Sequence, residues 1–249
     1  MYVAVAGMYR SGSTFAFNVV RESLASAGHV VARVTTSMPV DLPEAPVDVI
    51  IKSHVLDEHC TKLIIDGAMR CVCTYRKPED AIASSMRAFD FSLDRALIDM
   101  GHCLLWHRAV APYSLNLAYD EIDRDPLAAI HRIQRWLLGT SRSSEAEALK
   151  QRYDKAEVKK RYDALAFAEG MTHVGFSYFD STTLFHRRHV SSVVSVRGAD
   201  VLDAEQVARI RHTLAPYVDK DGDYDPGSGG WLAIRRAMMR VRRAFGRRH

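Results

Sequence analysis

Near the start of the chain, the segment VAVAGMYRSGSTF (Val3–Phe15) places a glycine loop between an apolar run and a helical pattern. Gly7 and Gly12 have the spacing of G-x-x-x-x-G loops, whose backbone N–H groups cradle phosphates. Nucleoside triphosphatases put a lysine after the second glycine to reach the β- and γ-phosphates. Here that position is Ser13, and the positive charge sits inside the loop, at Arg10. Ser11, Ser13 and Thr14 add hydroxyl donors. A strand, a glycine turn and a helix N-terminus together form an anion nest, where N–H groups converge and the helix dipole favours negative charge. A plain glycine turn before a serine-capped helix would not need both an arginine and three hydroxyls.

Two more segments carry chemistry. IIKSH (Ile50–His54) ends an apolar run with Lys52 and His54 two positions apart, so both lean to one side. A histidine can act as a general base near neutral pH, and a lysine can neutralise developing negative charge. In CTYRKPEDAIASSMR (Cys73–Arg87), Arg76 follows an apolar run and Ser84 comes eight residues later, about two turns into a helix. An arginine and a hydroxyl so placed can hold one phosphate between them.

The elements that must position these groups follow from the hydrophobic pattern. Strands are predicted at Tyr2–Ala6, Val30–Val34, Val47–Lys52, Met69–Tyr75 and Tyr113–Tyr119. Helices are predicted at Ser13–Ala27, from Pro78, at Ser92–Val110, and at Pro126–Leu138 behind an Asp125 cap. Ser141–Ala168 is charged and helical in pattern. Alternating strands and helices imply a parallel sheet with helices on both faces, and ligands bind such sheets at the strands' carboxyl ends. Each of the three segments lies at a strand end.

The net charge of +4 is a property of the C-terminus. Trp231–His249 holds seven arginines and no acid; 34 basic residues less these seven leaves 27 against 30 acidic, or −3. A basic nucleic-acid-binding face across the domain is therefore not expected. Trp231, Ile234, Met238, Val241 and Phe245 form one apolar stripe among the arginines, the pattern of a basic amphipathic helix. Such a helix suits peripheral membrane contact, docking on its own domain, or a homodimer partner, and a disordered basic tail is the remaining reading. GDYDPGSGG reads as a flexible linker before it, which gives an α/β domain at 1–220, a linker at 221–230 and the basic helix at 231–249. Cys60, Cys71, Cys73 and Cys103 have no C-x-x-C spacing and read as reduced, buried thiols of a cytoplasmic protein, in which the tail allows membrane association.

Taken together, the loop, the K-S-H strand end and the R-x(7)-S spacing resemble the sulfotransferases that use 3′-phosphoadenosine 5′-phosphosulfate (PAPS). YRSGSTF resembles their 5′-phosphosulfate loop, KSH the segment holding the catalytic base of cytosolic members, and YRKPEDAIASS their 3′-phosphate-binding stretch. YDEIDRDP (Tyr119–Pro126) is also similar to the family's strand-to-helix segment. The resemblance implies a three-layer α/β sandwich with a central parallel sheet and a P-loop-like loop. It implies PAPS as sulfuryl donor, with Arg10, Ser11, Gly12, Ser13, Thr14, Arg76 and Ser84 around the nucleotide and Lys52, His54 and Arg10 at the reaction centre. Arg188, His189, Ser192 and Arg197 are its candidates for closing over the nucleotide, in a segment with valines where the family has glycines. No metal is expected, because a sulfuryl group carries less charge than a γ-phosphoryl group.

The acceptor stays open: a small molecule, a glycan or a lipid. His102, Trp106 and His107 are candidate contacts for it, while Leu97, Met100, Leu104 and Trp106 itself have core spacing. One alternative is an ATP-dependent small-molecule kinase, with Asp120 as metal-holding aspartate. Another is a non-catalytic nucleotide-fold scaffold at a membrane surface.

Overall fold

A computed structural model describes residues 1–35, 48–163, 171–174, 177–186, 189–190, 193–219 and 221–226. Five strands form one sheet: β1 (Tyr2–Gly7), β2 (Val31–Thr35), β3 (Asp48–Ser53), β4 (Arg70–Tyr75) and β5 (Leu115–Ala118). Their order is β2-β3-β1-β4-β5, and every neighbouring pair is parallel. The strands are almost continuously apolar because both faces are covered. β1 shows the alternation: Val3 and Val5 face one layer, Ala4 and Ala6 the other.

Nine helices are described: α1 (Ser13–Ser26), α2 (Glu58–Ile65), α3 (Pro78–Phe89), α4 (Leu93–Val110), α5 (Tyr119–Arg124), α6 (Pro126–Leu138), α7 (Ser143–Arg152), α8 (Lys155–Asp163) and α9 (Ala204–Leu214). Phe17, Val20 and Leu24 of α1 pack with Ile130 and Ile133 of α6 and Leu149 of α7 on the Val3 face. Ile64 of α2, Ile82 of α3, Met100 and Leu104 of α4 and Ile210 of α9 cover the opposite face. The sequence's expected three-layer sandwich is the observed one.

Several starts follow local chemistry. Ser92 and Asp125 accept from the backbone N–H groups of Arg95 and Ala128, and Pro78 opens α3. Other features differ from the sequence reading. The charged stretch from Ser141 breaks after α7, because the Asp154 side chain accepts from the Ala156 and Glu157 N–H groups and starts α8 afresh. α2 was not anticipated, although Asp57 caps it by accepting from Cys60 N. A separate antiparallel pair, β6 (Met171–Val174) and β7 (Ser177–Asp180), was not anticipated either. The fifth strand is shorter than expected, since 111–113 form a 3-10 turn and Tyr119 opens α5.

The start of the expected linker is packed rather than loose. Tyr224 is buried, its hydroxyl 2.7 Å from Nδ1 of the buried His107, and Lys77 pairs with Asp223. The basic helix at 231–249 lies outside the described residues. All four cysteines are buried and free, and Cys71 and Cys73 share one strand face with sulfurs 3.6 Å apart.

Gly7 ends β1 against two neighbours: a Cβ there would overlap Thr74 Oγ1 and Ser13 Cβ. Gly7→Ala is expected to cost about 1–3 kcal/mol by overpacking. At roughly 2–4 °C per kcal/mol for a chain of this size, thermal unfolding should fall measurably. An unchanged melting temperature would show that the loop seats differently on β4.

Candidate active site

The loop between β1 and α1 is built by backbone geometry and by the strand beneath it. Arg10 and Gly12 both have left-handed backbone, at φ 60° and 84°. Glycine adopts that region without strain, whereas a residue with a Cβ loses about 1–2 kcal/mol there. Ser11 pins the turn from below. Its Oγ lies 2.7 Å from Met8 O, 3.1 Å from Thr74 O and 2.7 Å from Thr74 Oγ1. The Ser11 side chain, expected beside the nucleotide, therefore faces the sheet, while Gly12, Ser13 and Thr14 line a cavity of about 680 Å³. Thr14 Oγ1 is buried there and has no hydrogen-bond partner among the described residues.

Lys52 is the fifth residue of β3 and His54 stands just beyond its end, beside β1. His54 Nδ1 lies 2.6 Å from Gly7 O. A carbonyl only accepts, so Nδ1 carries the proton and Nε2 carries the lone pair. Lys52 Nζ is 3.5 Å from that Nε2. Burial brings Lys52 down to about 8. Burial, and then the Lys52 charge, bring His54 down to about 3, so the imidazole is neutral. Tyr9 stacks on the His54 ring, centroids 4.1 Å apart. It is a site residue that sequence reasoning missed, its only signal being its place beside Arg10.

Arg76 and Ser84 are buried, as the sequence pairing requires, but Ser84 meets the other arginine: Arg10 Nε donates to Ser84 Oγ at 3.0 Å. Arg10 also donates to the His189 carbonyl at 2.8 Å, and burial lowers it only to about 10, so it keeps its charge. Arg76 donates to Arg10 O at 3.3 Å and to Val196 O, and its Cζ lies 4.2 Å from the centre of the Tyr119 ring. Its Nε has no partner among the described residues. No ion pair joins Lys52 or Arg76 to a carboxylate among the described residues.

Arg197, expected over the nucleotide, binds Asp80 at 3.0 Å and Asp120 at 3.1 Å and is not among the residues lining the cavity. Asp120, the aspartate of the kinase alternative, is thereby engaged too. Arg188 and Ser192 lie outside the described residues. His189 does line the cavity, its ring against Phe185 and His186 and its Nδ1 buried without a described partner.

None of His102, Trp106 and His107 lines the cavity; from α4 it is Arg95 and Asp99 that do. His107 is instead a core histidine, brought down to about 3 by burial. Phe89 and Phe91 also escaped the sequence reading. Phe89 lies under Arg10, Cζ to centroid 5.5 Å, and contacts Phe91 and His186. Among the described residues, no group of three or more His, Cys, Asp or Glu side chains is placed to hold a metal ion.

No family model and no curated protein matches the chain. Solved structures do. A mouse sulfotransferase, SULT7A1, complexed with PAP, superposes with a TM-score of 0.61 at 15% identity, over 97% of this chain and 88% of that one. Retinol dehydratase with androsterone and the inactive cofactor PAP gives 0.57 at 13% identity, over 92% and 82%. The same enzyme with retinol and PAP gives 0.55 at 13%, over 90% and 82%. At these identities the likeness establishes the fold.

The Lys52 geometry has a pH consequence. A lysine lowered to about 8 is a cation below that pH and is lost as an anion ligand above it. An anion held in this cavity, with PAP as the probe, should therefore bind more weakly as pH rises from 7 to 9, by up to about tenfold per unit beyond 8. Lys52→Arg keeps its charge throughout and should flatten the curve. Titration calorimetry at several pH values checks this, and an identical alkaline fall in both proteins would assign it to another group.

Proposed function

We propose that the protein is a sulfotransferase that moves a sulfuryl group from PAPS to a hydroxyl or amine of an apolar, ring-bearing small molecule. The observation that carries the reading is the enclosure of Lys52 and Arg76 in one cavity with no carboxylate among the described residues to pair them. Buried charge is costly unless it is paired, so such a cavity is built for an anion. The unpaired Thr14 hydroxyl and Arg76 Nε supply further donors for it. The glycine loop, with Arg10 in place of a P-loop lysine, suits a phosphosulfate.

PAPS, when bound, supplies the sulfuryl group and a nucleoside bisphosphate leaving group. Sulfuryl transfer resembles phosphoryl transfer, where positioning and electrostatics do most of the catalysis. Arg10 and the loop N–H groups hold the 5′ side, and Lys52 faces the charge that develops on the peripheral oxygens. Arg76 reads the 3′-phosphate. His54 Nε2 accepts the acceptor's proton while Gly7 O fixes the tautomer. An anion beside Lys52 and Arg10 offsets two of the charges that hold the imidazole low, and lifts it toward the range of a working base.

Tyr9, Phe89, Phe91 and His186 give the cavity near His54 its aromatic wall, which supports a ring-bearing acceptor over a glycan or a lipid headgroup. That retinol dehydratase was crystallised with androsterone and with retinol is consistent with it.

One set of measurements tests this reading. Wild type should transfer label from PAPS to a panel of phenols and apolar alcohols, and His54→Ala should lose 10²- to 10⁴-fold with PAP affinity retained. Arg76→Ala should weaken PAP by roughly 30-fold or more and leave adenosine 5′-phosphosulfate, which has no 3′-phosphate, unchanged. Absence of transfer to any acceptor, with normal PAP binding, would favour a non-catalytic scaffold.

For the C-terminus we propose peripheral contact with anionic membranes, from the arginines and apolar stripe of 231–249. No helix among the described residues is long and apolar enough to cross a membrane. Deleting Trp231–His249 should abolish salt-sensitive binding to phosphatidylserine vesicles and spare transfer to soluble acceptors. Equal vesicle binding by both forms would end the idea.

A further inference from the structure

We propose that Lys155, held against Tyr119 by Asp123 and Ser195, is the second cation for the nucleotide's 3′-phosphate and, with Arg76, sets the preference for a 3′-phosphorylated nucleotide. This rests on the sulfotransferase reading. Its starting point is a charge deficit. A phosphate monoester carries about −1.5 to −2 near neutral pH. Arg76 offers one positive charge, and Arg197 is engaged by Asp80 and Asp120 away from the cavity wall.

Among the described residues, the arginines and lysines lining the cavity are Arg10, Lys52, Arg76, Arg95 and Lys155. Arg10 and Lys52 stand beside His54, where transfer takes place. Arg95 is exposed and paired with Asp99 at 2.8 Å. Among the described residues that leaves Lys155, which has a carboxylate partner of its own in Asp123 but, unlike Arg95, stands beside Arg76. Its Nζ lies 4.9 Å from the Tyr119 ring centre, and Arg76 Cζ lies 4.2 Å from the same centre. Those two distances cap the separation of the cations at their sum, 9.1 Å. A phosphate with a charge-assisted hydrogen bond of about 2.8 Å on each side bridges about 8 Å between donor nitrogens.

The lysine is also positioned. It pairs with Asp123 and donates to Ser195 Oγ at 3.1 Å, and Ser195 in turn bonds Asp123 and lies 3.2 Å from the Tyr119 hydroxyl. Burial pushes the Asp123 carboxyl up, but donation from Lys155 and Ser195, then the charges of Lys155 and Arg76, hold it below its ordinary range. Asp123 thus feels both cations. Two of the three ammonium donors are placed on Asp123 and Ser195, and the third is available to an incoming anion. Arg76 follows β4, Tyr119 opens α5, Lys155 opens α8, and Ser195 comes from the C-terminal segment. Four distant parts of the chain converge on this one point.

A structural ion pair between α5 and α8 is the competing role, and two opposite substitutions separate the two. Lys155→Met keeps the apolar stem and removes the charge. Asp123→Asn breaks the ion pair and leaves the lysine charged. PAP and adenosine 5′-phosphosulfate are titrated against both variants and against Lys155→Arg. Lys155→Met should weaken PAP roughly tenfold and leave adenosine 5′-phosphosulfate within about twofold. Lys155→Arg should restore most of the loss, and Asp123→Asn should keep or tighten PAP binding. If Lys155→Met weakens both nucleotides equally, or if Asp123→Asn weakens PAP as much as Lys155→Met does, the pair is structural and the assignment falls. Wild type binding the two nucleotides equally would overturn the sulfotransferase reading itself, and would be seen before any variant is made.

Discussion

The charge of Lys52 and Arg76, held inside a cavity with no ion pair to a carboxylate among the described residues, is the constraint on which the site turns. Lys52 and Arg76 come from strands on opposite sides of β1, with Arg10 from the loop between them. Like charges so gathered repel, and neutral groups among the described residues help to hold each in place. Arg10 is tied to Ser84 and the His189 carbonyl, Arg76 to the Arg10 and Val196 carbonyls, and Lys52 to a neutral imidazole. Carbonyl and hydroxyl oxygens orient a cation without cancelling its charge, so its attraction for an anion survives.

The backbone serves the same end. Arg10 holds a left-handed conformation that is costly for a residue with a Cβ, and Ser11 compensates with hydrogen bonds to Met8 and Thr74. The sheet below is therefore not a passive platform. It supplies Thr74 to the loop, and the loop's first glycine supplies the carbonyl that sets the tautomer of His54.

Much of this is legible in the sequence because it is local. Strand ends, a glycine loop, helix caps and the R-x(7)-S spacing all act within a dozen residues, and they place Arg10, Lys52, His54, Arg76 and Ser84 at one end of one sheet. What failed was non-local. Nothing near Arg197 announces that Asp80 and Asp120 will take it, and nothing near Lys155 announces Asp123 and Ser195. In α4 the helical period identifies Leu97, Met100 and Leu104 as core, but it cannot tell which other residues meet the cavity, and Arg95 and Asp99 line it where His102, Trp106 and His107 do not. Gly222 and its neighbours read as a linker by composition, yet Tyr224 finds His107 across more than a hundred residues.

The strand order also works as a ruler. With β3, β1 and β4 side by side at about 4.8 Å per strand, the ends bearing His54 and Arg76 are two spacings apart, about 10 Å. That span is set by backbone hydrogen bonds, which substitutions in the surrounding loops do not alter. Residues of the aromatic wall and of the C-terminal segment can therefore drift while the distance between His54 and Arg76 stays fixed. Chains that share as little as 13–15% of their residues with this one keep the same scaffold over nine-tenths or more of its length.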